Sequence, residues 1–505
     1  MSEQEKGYNH ILKYTSLFGG VQGLTILIGL VRNKFMALFL GTGGMGFNAL
    51  LMSMQNFASQ CTGLGISFGA IPRLSELHER GEEEGLTYHI KVIRTWSVVA
   101  ALLGFVFCIV VSPLMNDWSF NWGNHTLHFA FLGIAVAMSA ITGGEMAVLK
   151  AKRRLGTIAR IQVITAVLGV VLTVPLYYLY GQRAVAPAIV LIAFVTMMVT
   201  IAYSYRLQRL QLSFRRECLK EGMDMIKLGV AFVLAAAVGS GAEMVIRSYL
   251  NLEGGLGDVG LYNAGYMIAI TYAGMVFSAM ETDYYPRLSG VAADIKATNE
   301  TVNKQMEVSL LILSPMLMAL MMLLPVLIPV LFSKEFLPVI AMAQVAVLAM
   351  YFKVMTLPVA YITLARRRSK AYFFLETSYF VVLVIAVSIG FRLAGIFGAG
   401  VGIVVAHIFD YLMINTFAFF RYAYRCTWVL MNYAVVQFAI ACVAYWVTCN
   451  TDGMAYWMIE AALTLVSTAY SITILRQKTH LWEALTRGFR RNREKRKSNS
   501  ISTRL

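Results

Sequence analysis

The sequence predicts an all-α polytopic membrane protein. Fourteen transmembrane helices are expected, as two parallel-repeat six-helix lobes around a central cavity plus two C-terminal helices. Three observations predict this. The first is composition: 58% of the 505 residues are hydrophobic, 14% are charged and the mean hydropathy is +0.65. A soluble domain carries about 25% charge. The second is length: apolar runs of about twenty residues, enough to cross the hydrocarbon core, recur along the chain. The third is repetition: residue patterns in the first half return in the second at a nearly constant separation.

The polar start, MSEQEKGYNHILKYTS, has no cationic n-region and no small-residue cleavage site. The first helix itself is therefore the expected insertion signal. Apolar segments place helices at 11–39, 44–70, 89–113, 127–149, 157–180, 185–206 and 225–250. They continue at 260–282, 305–332, 337–364, 371–391, 396–420, 428–449 and 454–475. An even number of crossings puts both termini on one side. Of the 43 Lys and Arg, all but Arg32, Lys34, Arg183, Arg247, Lys334, Lys353 and Arg392 fall on the side of the N-terminus. Positive charge collects on the cytoplasmic side, so both ends are expected there. The basic tail, with its run RGFRRNREKRK, reads as a topogenic segment attracted to anionic lipid. Topology thus explains the net charge of +16 without nucleic acid.

The longest outer connection, NDWSFNWGNHTLH (116–128), is too short for an external catalytic domain. No G-x-x-x-x-G-K-[ST] phosphate loop occurs. The six cysteines (Cys61, Cys108, Cys218, Cys426, Cys442 and Cys449) contain no C-x-x-C pair and read as small core residues. No metal site and no catalytic residue is expected.

The repeat rests on five matches in order. Arg32 and Arg247 are 215 residues apart, as are Asn48-Ala49 and Asn263-Ala264. Pro72-Arg73-Leu74-Ser75 returns as Pro286-Arg287-Leu288-Ser289, 214 later, and Ala151-Lys152-Arg153-Arg154 as Ala365-Arg366-Arg367-Arg368. Gly181-Gln182-Arg183 matches Gly390-Phe391-Arg392 at 209, which implies a shortening of the second copy. An offset of six helices preserves orientation, so the repeat is parallel and the facing lobes suit alternating access. The expected divisions are 1–210 (N-lobe), 211–425 (C-lobe), 426–475 (helices 13 and 14) and 476–505 (basic cytoplasmic tail).

At these residues the chain resembles a known family. IGLVRNKFMALFLGTGGMGFNALL followed by GLGISFGAIPRLSEL, and later GLYNAGYMIAITYAGMVFSAMETDYYPRLSG, are similar to the bacterial oligosaccharide and O-antigen flippases. These form the polysaccharide-transport branch of the multidrug/oligosaccharidyl-lipid/polysaccharide superfamily. The likeness covers about residues 10 to 450. It implies movement of undecaprenyl-pyrophosphate-linked oligosaccharide across the bacterial cytoplasmic (inner) membrane through a cationic cavity. It implies no cofactor beyond coupling to an H+ or Na+ gradient. The partners implied are membrane lipid, a polysaccharide polymerase and chain-length proteins. The relative that flips the peptidoglycan precursor has an acidic residue after the arginine equivalent to Arg32; here Asn33 and Lys34 follow. A multidrug or cation antiporter of the same superfamily is the main alternative, and the peptidoglycan-precursor flippase another. A membrane-bound polymerase or glycosyltransferase would need a larger outer domain.

An anionic pyrophosphate headgroup cannot cross hydrocarbon unaided, and the planar fork of arginine binds phosphate bidentately. The candidate substrate-binding residues are therefore Arg32, Lys34, Arg247 and Lys353, with Asn48 and Asn263 for sugar hydroxyls. Each has a plainer reading. Arg32 and Arg247 stand near the outer interface, where arginine snorkels. Arg247 has Glu243 four residues earlier, a self-neutralising pair. Lys353 precedes Pro358, where broken backbone would line a cavity. The two asparagines suit helix caps. The acids in helices are Glu145, Glu243, Glu281, Asp283, Glu307, Glu376, Asp410 and Glu460. Intramembrane carboxylates bind protons or Na+, and the ion-coupling candidates are Glu145, Asp410, Glu243, Glu281 and Asp283. His407 lies three residues before Asp410. The glycines at 41–46 and 254–260 read as tight turns and close helix packing.

Overall fold

The computed structural model describes residues 3–121 and 123–478; for residues 3–19, 22, 228, 230–232, 275–276 and 278–283 it describes the backbone alone. The described chain is helical, and its helices follow the predicted order. Glu3–Thr62 is one continuous assignment broken at Gly41, whose φ of 64° is non-helical. Glu83–Ser119, Thr126–Ala151, Leu155–Tyr180, Val185–Tyr205 and Arg216–Glu253 follow. Leu256–Tyr266 and Ala273–Val291 are joined by a π-helical turn, Met267–Tyr272. Then come Ile295–Leu331, Val339–Ala365, Ser369–Tyr422 with a break at Ala394–Gly395, Trp428–Asn450 and Gly453–Lys478. Counting the two broken assignments as two each, and the π-joined pair as one, gives fourteen long helices among the described residues. Ten assignments are long and apolar enough to cross a membrane, and the protein is a multi-pass membrane protein.

The second predicted helix, 44–70, ends early, at Thr62. Two short helices, Ile66–Gly69 and Ile71–Arg80, take up the remainder. Pro72 stands at the start of the latter, where its missing N–H costs nothing. Leu74 and Leu77 turn inward to Ile90, Ile93 and Trp96, while Arg73 and Arg80 stay exposed and Glu76 half-buried between them. Arg73 and Arg80 flank Glu76 at 2.9 and 2.6 Å and hold its carboxyl below the usual range, chiefly through the Arg73 hydrogen bond.

The backbone repeats more strictly than the sequence does. Left-handed residues recur at a separation of 214: Gly41 (φ 64°) with Gly255 (φ 92°), Arg153 (51°) with Arg367 (55°), and Gly181 (55°) with Gly395 (58°). The 209-residue match of Gly181 with Gly390 is thereby corrected. Gly390 lies within a helix, and the turn equivalent to Gly181 is at Gly395. A two-letter match carried the shorter offset, whereas a chain reversal needs the conformation glycine supplies.

The chain packs as two compact units. One comprises residues 3–268, 325–346 and 368–409; the other comprises 269–324, 347–367 and 410–478. In the first unit, backbones cross at glycines on both ends of the helix 42–62. A Cβ on Gly46 would lie 1.8 Å from the Leu256 carbonyl oxygen, and one on Gly260 2.0 Å from that of Thr42. Beyond the other end, a Cβ on Gly65 would meet Gly229 at 2.5 Å. These are closest-approach contacts that any side chain would prise apart.

Candidate functional site

A cavity of about 350 Å3 opens inside the first unit, among the helices that carry Arg32, Asn48, Thr142, Tyr177 and Thr196. Its volume falls at the lower end of small-molecule sites. The elements explain the convergence. Arg32 and Met36 lie one turn apart; Asn48, Met52 and Gln55 follow at four and three, so each set shares a helix face. The break at Gly41 folds one set back against the other.

Arg32 is the charged group of the lining and is half-buried. Among the described residues it has neither a carboxylate nor a carbonyl within hydrogen-bond distance, and the Asn48 amide has no partner either. Gln55 is 8% exposed and its Oε1 has no hydrogen-bond partner. The Thr142 and Thr196 hydroxyls donate to their own helix at Met138 O and Ile192 O, both near 2.8 Å, and so present lone pairs. The wall thus offers one guanidinium fork and a mixture of donors and acceptors. That chemistry suits an anionic group carried next to hydroxyls.

The other predicted residues are placed differently. Arg247 is 7% exposed; it donates to Glu243 Oε2 at 2.9 Å and to Asn263 Oδ1 at 3.2 Å. Three candidates thus pair with one another, while the buried Arg247 Nε is left without a hydrogen-bond partner. Lys34 donates to Pro329 O at 3.0 Å and Phe332 O at 2.5 Å, a cation on the last carbonyls of Ile295–Leu331. Lys353 is half-buried and partnered in Val339–Ala365, which runs through Pro358 without a break. Asp410 is partnered as well. His407, buried, donates from Nδ1 to Ile403 O at 2.9 Å, leaving Nε2 to face the Tyr379 hydroxyl at 3.5 Å. The side chains of Glu281 and Asp283 lie outside the described residues.

Glu145 sits in a cluster that the sequence reading only half identified. Arg94 binds it through Nε at 2.8 Å and Nη2 at 3.1 Å, and Ser204 donates to Oε2 at 2.5 Å. Arg94 also donates to the carbonyls of Gln208 and Arg209 and lies 4.6 Å over the Tyr205 ring. Lys152 donates to Gln208 Oε1 at 3.2 Å; burial pushes its ammonium below the ordinary range, against the pull of Glu83. The cluster ties the connection after Val185–Tyr205 to two helices. Gln55, Tyr177 and Arg94 were all missed. For Gln55 a signal existed: an amide two turns beyond Asn48 in an apolar span.

A family model described as polysaccharide biosynthesis protein matches residues 35–341. The chain belongs to the polysaccharide biosynthesis protein family. Comparison with curated proteins finds no match. Among solved structures, the family member resembles the lipid II flippase MurJ in an inward closed conformation. That match has a TM-score of 0.69 at 15% identity and covers 92% of this chain and 99% of the other. It also resembles an inward-facing multidrug resistance MATE family transporter of the MOP superfamily, at 0.66 and 14%, covering 79% and 94%. A MOP superfamily transporter from Pyrococcus furiosus matches at 0.54 and 15%, covering 81% and 94%. At these identities the likeness shows the fold.

Proposed function

We propose that this protein moves undecaprenyl-pyrophosphate-linked oligosaccharide repeat units across the bacterial cytoplasmic membrane by alternating access. It acts as an ion-coupled transporter and not as an enzyme, with both termini in the cytoplasm. The observation that carries the reading is Arg32. A guanidinium within a spanning helix is expensive and by default functional. This one faces an internal cavity whose lining mixes apolar side chains with Asn48, Gln55, Thr142 and Thr196 and holds no carboxylate. A phosphate-bearing headgroup supplies the missing anion, and Asn48, Gln55, Thr142 and Thr196 supply partners for sugar hydroxyls. The family description and the MurJ likeness support a lipid-linked sugar as cargo. A cationic drug fits this cavity poorly, because the charge that lines it would repel it. A peptidoglycan-precursor substrate is the second reading, favoured by the MurJ fold match over nearly the whole chain.

The test is lipid-linked saccharide accumulation in a strain lacking the protein, complemented with wild type or Arg32→Ala. Accumulation on the cytoplasmic face, cleared by wild type and not by Arg32→Ala, is expected. Equal clearance by both would remove Arg32 from the passage. Accumulation of peptidoglycan precursor alone would select the second reading.

A further inference from the structure

The last helix, Gly453–Lys478, carries a polar stripe on the face it buries. Tyr456, Glu460, Thr464, Ser467, Ser471 and Lys478 follow at spacings of 4, 4, 3, 4 and 7 residues, which keeps them on one side. Most of the stripe is paired within its own unit. The Tyr456 hydroxyl donates to Met322 O at 2.9 Å. Ser467 Oγ donates to Gln437 Oε1 at 2.7 Å, and Gln437 Nε2 to Ser471 Oγ at 2.8 Å. Lys478 reaches Glu307 at 2.7 Å.

Glu460 and Thr464 interrupt this pattern. Glu460 is 0% exposed, and neither of its carboxyl oxygens has a hydrogen-bond partner; nor has Thr464 Oγ1. Among the described residues, no counter-ion pairs with them. Trp428–Asn450 contains no Asp, Glu, Lys, Arg or His; its titratable groups are Tyr433, Tyr445, Cys442 and Cys449. Residues 315–331 of the neighbouring helix contain no titratable group at all. On its own helix, Tyr456 is engaged with the Met322 carbonyl, and exposed Asp452 lies just before the helix begins. An ionised carboxylate without partner or counter-ion is the costliest group to bury, whereas the protonated acid is neutral and gains a donor. Thr464, one turn on, is an acceptor on the same face.

We propose that Glu460 is a proton-binding site that links protonation to docking of the C-terminal helix. The carboxylate takes one proton from water as Gly453–Lys478 packs against Ile295–Leu331, and returns it when the helices part. One proton per docking event shifts the docked-to-separated ratio tenfold per pH unit across the range in which the separated form is ionised. This holds whatever the cargo, so it stands or falls separately from the transport reading.

The test uses the full-length protein in lipid nanodiscs, with the proton alone as probe. Infrared difference spectra at neutral pH report the carbonyl stretch of protonated carboxyl groups, in wild type and in Glu460→Gln. Electron-spin distances between labels at Met316→Cys and Met458→Cys, both exposed, report docking from pH 5 to 9. The expected result is a carboxyl band that Glu460→Gln removes. The separated population should rise towards tenfold per pH unit in wild type and stay flat in the variant. A wild-type spectrum without that band, wild-type distances independent of pH, or distances that follow added Na+ at constant pH would each overturn the proposal. The wild-type measurements decide it even if the variant fails to fold.

Discussion

Arg32 and Arg247 match in sequence, yet the structure gives them opposite circumstances, and one residue of register accounts for it. Arg32 stands nine residues before its turn glycine, Gly41; Arg247 stands eight before Gly255. One residue rotates a helical position by about 100°. Arg32 therefore turns to the cavity, and Arg247 to Glu243 and Asn263. Their variants should separate stability from transport. Arg32→Ala removes no partner, so its melting temperature in detergent should stay near that of wild type while transport falls. Arg247→Ala leaves Asn263 and a half-buried carboxylate unpaired, and should lower the melting temperature. The larger loss belongs to Arg94→Ala, which strands Glu145 at 2% exposure. Breaking a buried pair of this kind costs about 3–5 kcal/mol. A double-mutant cycle with Glu145→Gln, read by thermal unfolding, should recover part of it.

At the scale of elements, the helix 42–62 and the short turn after it are held at both ends by glycine crossings, to Leu256–Tyr266 at one and to Arg216–Glu253 at the other. In the transport reading proposed above, access from either side would require one crossing to open. Gly257 and Thr42 are close enough to report it, since a Cβ at Gly257 would lie 3.5 Å from Thr42 Oγ1. Thr42→Cys with Gly257→Cys, in a background without the native cysteines, should cross-link in high yield. Adding Gly46→Leu should abolish the cross-link, because the leucine displaces the Leu256 carbonyl. Gly65→Val should leave that cross-link intact and stop transport from the opposite end.

For the whole molecule, the charge distribution makes a topological prediction. Reporter fusions within 120–125 should mature outside the cytoplasm; fusions near Arg153, near Arg367 and after Lys478 should mature inside. Replacing the Lys and Arg of the 150–154 turn by Gln weakens the local bias. The neighbouring helices should then appear in mixed orientation in the same assay.

The sequence by itself determined the number and order of the helices, because a bilayer demands long apolar segments and leaves them legible one at a time. It also showed the recurring residue patterns and singled out Arg32 and Asn48 as candidates, because polar groups in apolar spans stand out; the two line one cavity. Only the tertiary structure decided the rest. Whether a polar residue in a span is spent or available depends on what the neighbouring helices bring to it. Lys34 caps another helix, Glu145 is closed by Arg94, and Arg247 by Glu243 and Asn263. Gln55 and Glu460 are left with unmatched oxygens. Spacing along one helix fixes a face, but partners arrive from segments tens or hundreds of residues away. Such packing is written in no local pattern.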